Sequence, residues 1–329
     1  MAVLAIDVQG GDHGPPHLLP SVIDYFSQRP QHQGHIFGHD FQCRDLVRSL
    51  PSNLTFHGTD QLLPESVSPA QLVRHRYRSS LENAYQCLVS GQAAALVSAE
   101  HTGLLIALMH RHAVTHPAIE RPVLVSWVPT VKRPLVMLDL GASFSATAEQ
   151  FLGFAAIGQA IVSASMTTPP RLALLNLGVE ANKGPQALRL AATQLATWPG
   201  IEYCGFVEAN EVFNGDLDLV ITDGFTGNAV IKAAEGTLDL TLNAIRQELS
   251  ADWLGRTLGL FLGRRLKPRL SSLDPRLHNG ALLAGSELAV IKSHGHADGK
   301  AFQAALNKGV EAAEGQWCPR ILQHLDKVL

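Results

Sequence analysis

Five glycine-bearing polar loops follow apolar runs of the sequence, and each could hold an anion. Glycine lets backbone N–H groups approach an anion closely, and a helix N-terminus after such a loop adds partial positive charge. A single loop of this kind is weak evidence, because every α/β protein needs tight strand-to-helix turns. Five together favour an oxyanion site. The loops are Asp7–His13, Ser98–Gly103, Asp139–Ser143, Asn176–Gly184 and Asp223–Asn228.

Three side chains in these loops suit a charged, oxygen-rich ligand. The Lys183 ammonium could neutralise an anion, although an exposed lysine is also a common surface residue. Asn228 stands at a predicted helix start, where it could cap the helix or donate its amide to a substrate oxygen. His13 could relay a proton near neutral pH, or it could be a hydrogen-bonded structural residue.

The elements that must position these loops are strands and helices in alternation. Runs that are apolar on both faces predict buried parallel strands at Val3–Val8, Ala94–Ser98, Val123–Val128, Leu135–Leu138, Leu172–Asn176 and Leu217–Thr222. Helix-like segments occupy 17–28, 69–90, 102–113, 147–165, 185–197 and 226–249. This alternation predicts a layered α/β fold with a mostly parallel sheet. Ligands bind beyond the carboxyl ends of such strands, so we expect the five loops at one sheet edge.

Composition narrows the class of protein further. Of the 329 residues, 46% are hydrophobic and 17% are charged. The net charge of −3 provides no positive electrostatic field that would attract nucleic acid. Four scattered cysteines fit a reducing cytosol, where disulfides are rare. The N-terminal residues read as a first strand, and no apolar run is long enough to span a bilayer. With no repeat or linker, residues 1–329 are expected to form one large cytoplasmic α/β domain.

The order of the motifs resembles a known family. IDVQGGDHGP, SAEHTG, DLGAS, NLGVEANKG, DGFTGN…IK and HNGALLAG…IKSHG look like the acyl-acyl-carrier-protein:phosphate acyltransferase (PlsX) family, from about Val3 to about Gly295. The resemblance implies a three-layer α/β/α fold, similar to phosphate acetyltransferases and isocitrate/isopropylmalate dehydrogenases. It also implies a homodimer, with acyl-carrier protein and inorganic phosphate as partners.

The implied reaction is attack of a phosphate oxygen on an acyl thioester, giving an acyl phosphate for phospholipid synthesis. Phosphate is itself the nucleophile, so no Ser-His-Asp set is required, and the sequence has no GxSxG elbow. No metal or other cofactor is expected. The implied catalytic residues are Lys183 and Asn228. The implied substrate-binding residues are Gly10, Gly11, Asp12, His13, His101, Thr102, Gly103, Thr226, Gly227 and Lys232.

The chain departs from the family pattern at several positions. It has Glu100 and His101 where the family reads SAGNTG, Ser143 where it reads DLGAN, and His278-Asn279 where it has a tyrosine-glycine pair. Glu100 adds negative charge beside the proposed phosphate site, which weakens anion binding unless the carboxylate points away. The changes at Glu100 and His101 motivate an alternative: a diverged, weakly active or non-catalytic relative that binds carrier protein or membrane. A decarboxylating dehydrogenase is disfavoured, because the sequence shows no clear group of acidic residues that would coordinate its divalent metal ion.

Residues 253–269, WLGRTLGLFLGRRLKPR, form a basic amphipathic pattern. On a helix, Leu254, Leu258, Phe261 and Leu262 share one face, while Arg256 and Arg264 lie away from it. Such a helix can lie on an anionic membrane, although it can equally pack in a core or a dimer. We therefore expect a helical amphipathic excursion near 250–275 and peripheral contact with the inner face of the cell membrane.

Overall fold

A single sheet of eleven strands forms the middle layer of the protein. The structure, a computed structural model, describes residues 1–64, 66–113, 115–164, 166–251, 253 and 274–329. The sheet has the order β3-β2-β1-β4-β11-β10-β5-β6-β9-β7-β8. Its strands are β1 Val3–Asp7, β2 Gln33–His39, β3 Leu54–Thr59, β4 Ala95–Ser98, β5 Val123–Val128, β6 Leu135–Leu138, β7 Arg171–Leu175, β8 Glu202–Val207, β9 Leu219–Ile221, β10 Ala281–Ala284 and β11 Val290–Lys292.

Helices cover both faces of this sheet. Alternate residues of a strand point to opposite faces, so Leu4 and Ile6 of β1 pack in one hydrophobic cluster and Ala5 packs in the other. The predicted three-layer α/β/α class is therefore confirmed. The described helices are α1 Gly14–Ser27, α2 Asp40–Cys43, α3 Pro69–Arg74, α4 Ser80–Val89, α5 Thr102–His112, α6 Ala148–Ser163, α7 Gln186–Leu195, α8 Gly224–Ala251, α9 Gly299–Gly315 and α10 Trp317–Val328, with single 3₁₀ turns at Val212–Asn214 and Pro275–His278.

The sheet consists of two parallel sets of strands that run in opposite directions. Strands β1, β2, β3, β4 and β11 are mutually parallel, and so are β6, β7, β8 and β9. Antiparallel pairs made by β10 and by the β5–β6 hairpin join the two sets. The expectation that all five loops share one sheet edge is therefore wrong, because the carboxyl ends of the two sets point in opposite directions.

The predicted elements agree with the structure at most positions. All six predicted strands are present within two residues of their expected bounds. The predicted helix over 69–90 is instead two helices, α3 and α4. The chain becomes extended at His75, and the Ser79 side chain accepts a hydrogen bond from the backbone N–H of Glu82 to begin α4. The physical reason for the break is this N-cap, which fixes a new helix start.

Several elements were not predicted from the sequence. They are strands β2, β3, β8, β10 and β11 and helices α2, α9 and α10. Apart from Trp253, the predicted amphipathic segment 253–269 lies outside the described residues. None of the helices in the described part of the chain has the length and apolar character needed to cross a bilayer. The expectation of one α/β domain over residues 1–329 stays a prediction.

Candidate active site

One large cleft contains residues from both sets of strand ends. Its volume is about 1630 Å³, and its walls include the loops after β1, β4, β6 and β11 and the first half of α8. The predicted site residues that line it are Gly11, Asp12, His101, Thr102, Gly103, Asn228 and Lys232. Gly10, His13, Thr226, Gly227 and Lys183 are not among its lining residues.

Helix α8 explains how loops at opposite strand ends meet in one cleft. At its start, the backbone N–H of Gly224 donates to Ser143 Oγ (3.0 Å), in the loop after β6. Three turns later, Glu235 Oε1 lies 3.9 Å from His294 Nε2, in the loop after β11. Eleven residues of α-helix span about 16 Å, so α8 bridges this gap between the two groups of loops.

Asp139 organises the loop after β6. Its buried carboxylate accepts hydrogen bonds from the backbone N–H groups of Leu124 (3.0 Å), Gly141 (3.2 Å) and Ala142 (3.0 Å). It also accepts from both the backbone N–H and the hydroxyl of Ser143, each at 2.7 Å. Burial raises the pKa of Asp139, and these hydrogen bonds oppose that rise. Ser143, which departs from the family pattern, therefore links Asp139 to the start of α8.

The first turn of α8 positions Asn228. Asp223 accepts hydrogen bonds from the Thr226 N–H (2.9 Å) and hydroxyl (2.8 Å), so the Thr226 hydroxyl is engaged within the turn. A Cβ at Gly227 would collide with the carbonyl oxygen of Asp139, so only glycine permits this close approach. Thr226 and Gly227 therefore place Asn228 at the cleft without lining it themselves.

Asn228 and Lys232 present unused donors to the cleft. Both are exposed and lie one helical turn apart on α8. Within the described residues, the Asn228 amide makes no side-chain hydrogen bond and the Lys232 ammonium has no carboxylate within ion-pair distance. Asn228 also lies beside Gly141, where an added Cβ would be 3.8 Å from its own Cβ. Among the described residues, nothing therefore occupies these two groups, and both can bind a substrate.

A second buried carboxylate, Asp7, lies under the loops on the other side of the cleft. It accepts hydrogen bonds from Ser80 Oγ (2.8 Å), Ser98 Oγ (2.7 Å) and the backbone N–H of Gln9 (3.2 Å). Burial, and to a lesser extent the nearby charge of Glu100, raise the pKa of Asp7 to about 6. Asp7 therefore ties β1 and β4 together at their carboxyl ends.

The loops above Asp7 are in direct contact. A Cβ at Gly10 would lie 2.8 Å from the backbone nitrogen of Glu100, and the Asp12 N–H donates to the Gly295 carbonyl oxygen (2.7 Å). His13 lies at the end of this loop, immediately before α1, with its ring centroid 5.2 Å from that of His17. The loops after β1, β4 and β11 thus form one continuous wall of the cleft, with His13 outside it.

Lys183 lies in the loop after β7, apart from the cleft lining. Its ammonium is 2.8 Å from Glu180 Oε1, and both side chains are about half exposed. The hydrogen bond to Glu180 raises the pKa of Lys183. Because β7 is adjacent to β9, this loop and the start of α8 follow neighbouring strands of the same set.

The structure also adds a cation that the sequence analysis did not select. Lys292, the last residue of β11, is partly buried and lines the cleft near Glu100 and Asp12. Burial lowers the pKa of Lys292 to about 8, although the two carboxylates act against this shift. A lysine directly after the apolar run Leu288–Ile291 is the signal that could have identified it, but this run was not predicted as a strand.

The rest of the cleft wall is largely apolar. Side chains from several elements form this surface, which suits a hydrocarbon chain better than a polar ligand. They include Leu63, Val67, Ile106, Trp127, Val131, Phe213, Ile231 and Leu238. Among the residues that the structure describes, no group of three or more His, Cys, Asp or Glu side chains is arranged to hold a metal ion.

Solved structures of similar fold define the structural class. A branched-chain phosphotransacylase from Enterococcus faecalis matches with a TM-score of 0.58 and 14% identity, covering 98% of this chain and 100% of that one. A phosphotransacetylase from Streptococcus pyogenes matches with a TM-score of 0.57 and 14% identity, covering 95% and 94%. At this identity the similarity shows a shared fold.

Sequence comparison places the chain within a family. The model of the family described as "Fatty acid synthesis protein" matches residues 2–320. A phosphate acyltransferase of Photobacterium profundum is 33% identical over 331 residues, covering 99% of this chain and 97% of the relative. A phosphate acyltransferase of Pseudomonas paraeruginosa is 36% identical over 314 residues, covering 93% and 92%. The chain belongs to this family, and the resemblance inferred from its motifs is confirmed.

Replacing Asp7 by Asn should reveal an unusual pH dependence of stability. The Asp7 pKa of about 6 in the folded protein exceeds the ordinary value of 3.8, so the folded state binds the proton more tightly. This stabilisation is fully present below about pH 4 and is lost as pH rises through about 6. From pH 4 to 7, the unfolding free energy of the wild type should fall by about 2–3 kcal/mol relative to Asp7→Asn. Denaturant titrations at several pH values measure this difference, and a constant difference would contradict the assignment.

Proposed function

We propose that the protein is a phosphate acyltransferase that moves a fatty acyl group from an acyl-carrier-protein thioester to inorganic phosphate. The acyl phosphate it forms would enter phospholipid synthesis. The observation that carries this proposal is the cleft, which combines polar loops and free donors with a long apolar wall in a chain of this family. An acyl chain fits the apolar wall, and phosphate fits the polar loops.

The chemistry requires positioning and charge stabilisation more than a protein nucleophile. A phosphate oxygen attacks the thioester carbonyl carbon, the C–S bond breaks, and the carrier thiolate leaves and takes up a proton. In this proposal the Asn228 amide, which lines the cleft and makes no side-chain hydrogen bond among the described residues, donates to the carbonyl oxygen as it becomes an oxyanion. Orientation of phosphate against the thioester supplies much of the remaining rate.

The alternative of a non-catalytic relative is not favoured. It rests on the substitutions at Glu100 and His101. A further departure, Ser143, joins Asp139 to α8 and preserves the loop. The Glu100 carboxylate accepts a hydrogen bond from the His101 N–H (2.8 Å) within its own loop. These substitutions are accommodated without dismantling the cleft.

Purified protein with acyl-acyl-carrier protein and phosphate should form acyl phosphate, detected as its hydroxamate after trapping with hydroxylamine. Omitting phosphate should abolish the product. Asn228→Ala should reduce the rate by at least about 100-fold, the scale of removing a preorganised oxyanion donor. Absence of product over a series of acyl lengths would reject the proposed function.

Lys183 stays in the proposal as a cation serving phosphate or the oxyanion. Lys183→Ala should lower the rate by roughly 100-fold with the fold intact, because an exposed ion pair contributes little to stability. Glu180→Gln is the matched control, since it removes the ion pair and leaves the ammonium in place. Equal activity of Lys183→Ala and wild type, or equal losses in both variants, would remove Lys183 from the site.

We further propose that the protein is a cytoplasmic homodimer with peripheral membrane contact through 253–269. Phe225, Leu240 and Ile245 expose apolar surface along α8, which supports a partner surface there. The membrane contact rests on the basic amphipathic pattern of the sequence. Sedimentation equilibrium of the full chain should give a mass near twice 35.4 kDa. Flotation with anionic liposomes should recover the wild type, while Leu258→Glu/Phe261→Glu should float less.

A further inference from the structure

The strongest unexplained feature of the cleft is the Lys292 ammonium. It donates hydrogen bonds to the carbonyl oxygens of Ala99 (3.4 Å) and Ser293. An ammonium has three N–H donors, so one is left. Within the described residues, no carboxylate lies within ion-pair distance of Lys292. A partly buried ammonium that faces a cleft without a carboxylate at ion-pair distance can pair with an anion from solution.

One backbone N–H group in the same wall of the cleft as Lys292 is also unused. It belongs to Gly11, which lines the cleft, and it donates to no acceptor in the described chain. Gly11 has φ +86°, a conformation that favours glycine, and a Cβ there would lie 2.6 Å from the Gly295 carbonyl oxygen. A free backbone N–H in such a turn can donate to an anion.

Two carboxylates lie near this anion site. Glu100 lies close enough to Lys292 to raise its pKa, yet it forms no ion pair with it. Asp12 also raises that pKa, but its carboxylate lies 3.4 Å from His296 Nδ1. Glu100 stands where the family pattern reads glycine. A carboxylate near the bound anion weakens binding by repulsion.

We propose that Lys292, with the amide of Gly11, binds inorganic phosphate, and that Glu100 lowers the affinity of this subsite. This assignment rests on the proposed function for the identity of the anion. It separates two tasks in the cleft: the wall after β1, β4 and β11 holds phosphate, and Asn228 across the cleft serves the thioester oxygen. The acyl carbon would lie between them.

The test measures phosphate binding with and without turnover. Melting temperature is recorded against phosphate concentration at constant ionic strength, and the KM for phosphate is measured in the acyl phosphate assay. Lys292→Gln should raise both the apparent dissociation constant and the KM for phosphate by about tenfold or more, the effect of losing a charged hydrogen bond. Lys292→Arg should recover part of the affinity. Glu100→Gln should lower both constants about two- to fivefold.

Lys327→Gln is the charge-matched control, since it removes one cation from the C-terminal helix α10. Unchanged phosphate constants in Lys292→Gln would overturn the proposal. So would a fall in kcat with an unchanged phosphate KM, which would assign Lys292 to the oxyanion. If Lys292→Gln does not fold, Glu100→Gln decides alone, and equal or weaker phosphate binding in that variant overturns the proposal. Phosphate binding that depends on Lys292 without any acyl phosphate would instead reject only the proposed function.

Discussion

Two buried carboxylates fix the geometry on which the cleft depends. Asp139 and Asp7 each follow or end a strand, one in each parallel set, and each gathers hydrogen bonds from the loops around it. Losing one partner of such a buried group leaves an unsatisfied charge or donor, which is costly. The loops are therefore held in one arrangement. The link from Asp139 through Ser143 to Gly224 then sets where α8 begins.

Helix α8 brings the two groups of loops together at one cleft. A parallel sheet normally collects its functional loops at one edge, but here the central antiparallel pairs reverse the strand direction. The long helix compensates, because it starts at one set of strand ends and passes the loops of the other. Residues on its exposed side, Asn228 and Lys232, then face the wall that carries Lys292.

Two of the departures from the family pattern have different physical effects on the cleft. Ser143 supplies a hydroxyl that donates to Asp139 and accepts from Gly224, so it maintains the loop. Glu100 is different, because its charge lies near Lys292. Among the described residues of the wall after β1, β4 and β11, Lys292 is the only cation that is partly buried. One substitution therefore preserves structure, while the other changes the electrostatics that a phosphate anion would meet.

The sequence by itself determined the fold class, the family and most strand positions, because buried strands and glycine loops leave local patterns. It also selected the seven predicted residues that line the cleft. It could not show that the strand sets run in opposite directions, since the reversal comes from the antiparallel pairing of β5 with β6, while β10 is antiparallel to both of its neighbours. Only the tertiary structure separated Lys183 from the lining and brought in Lys292. Both outcomes follow from contacts between residues distant in sequence, which no local pattern encodes.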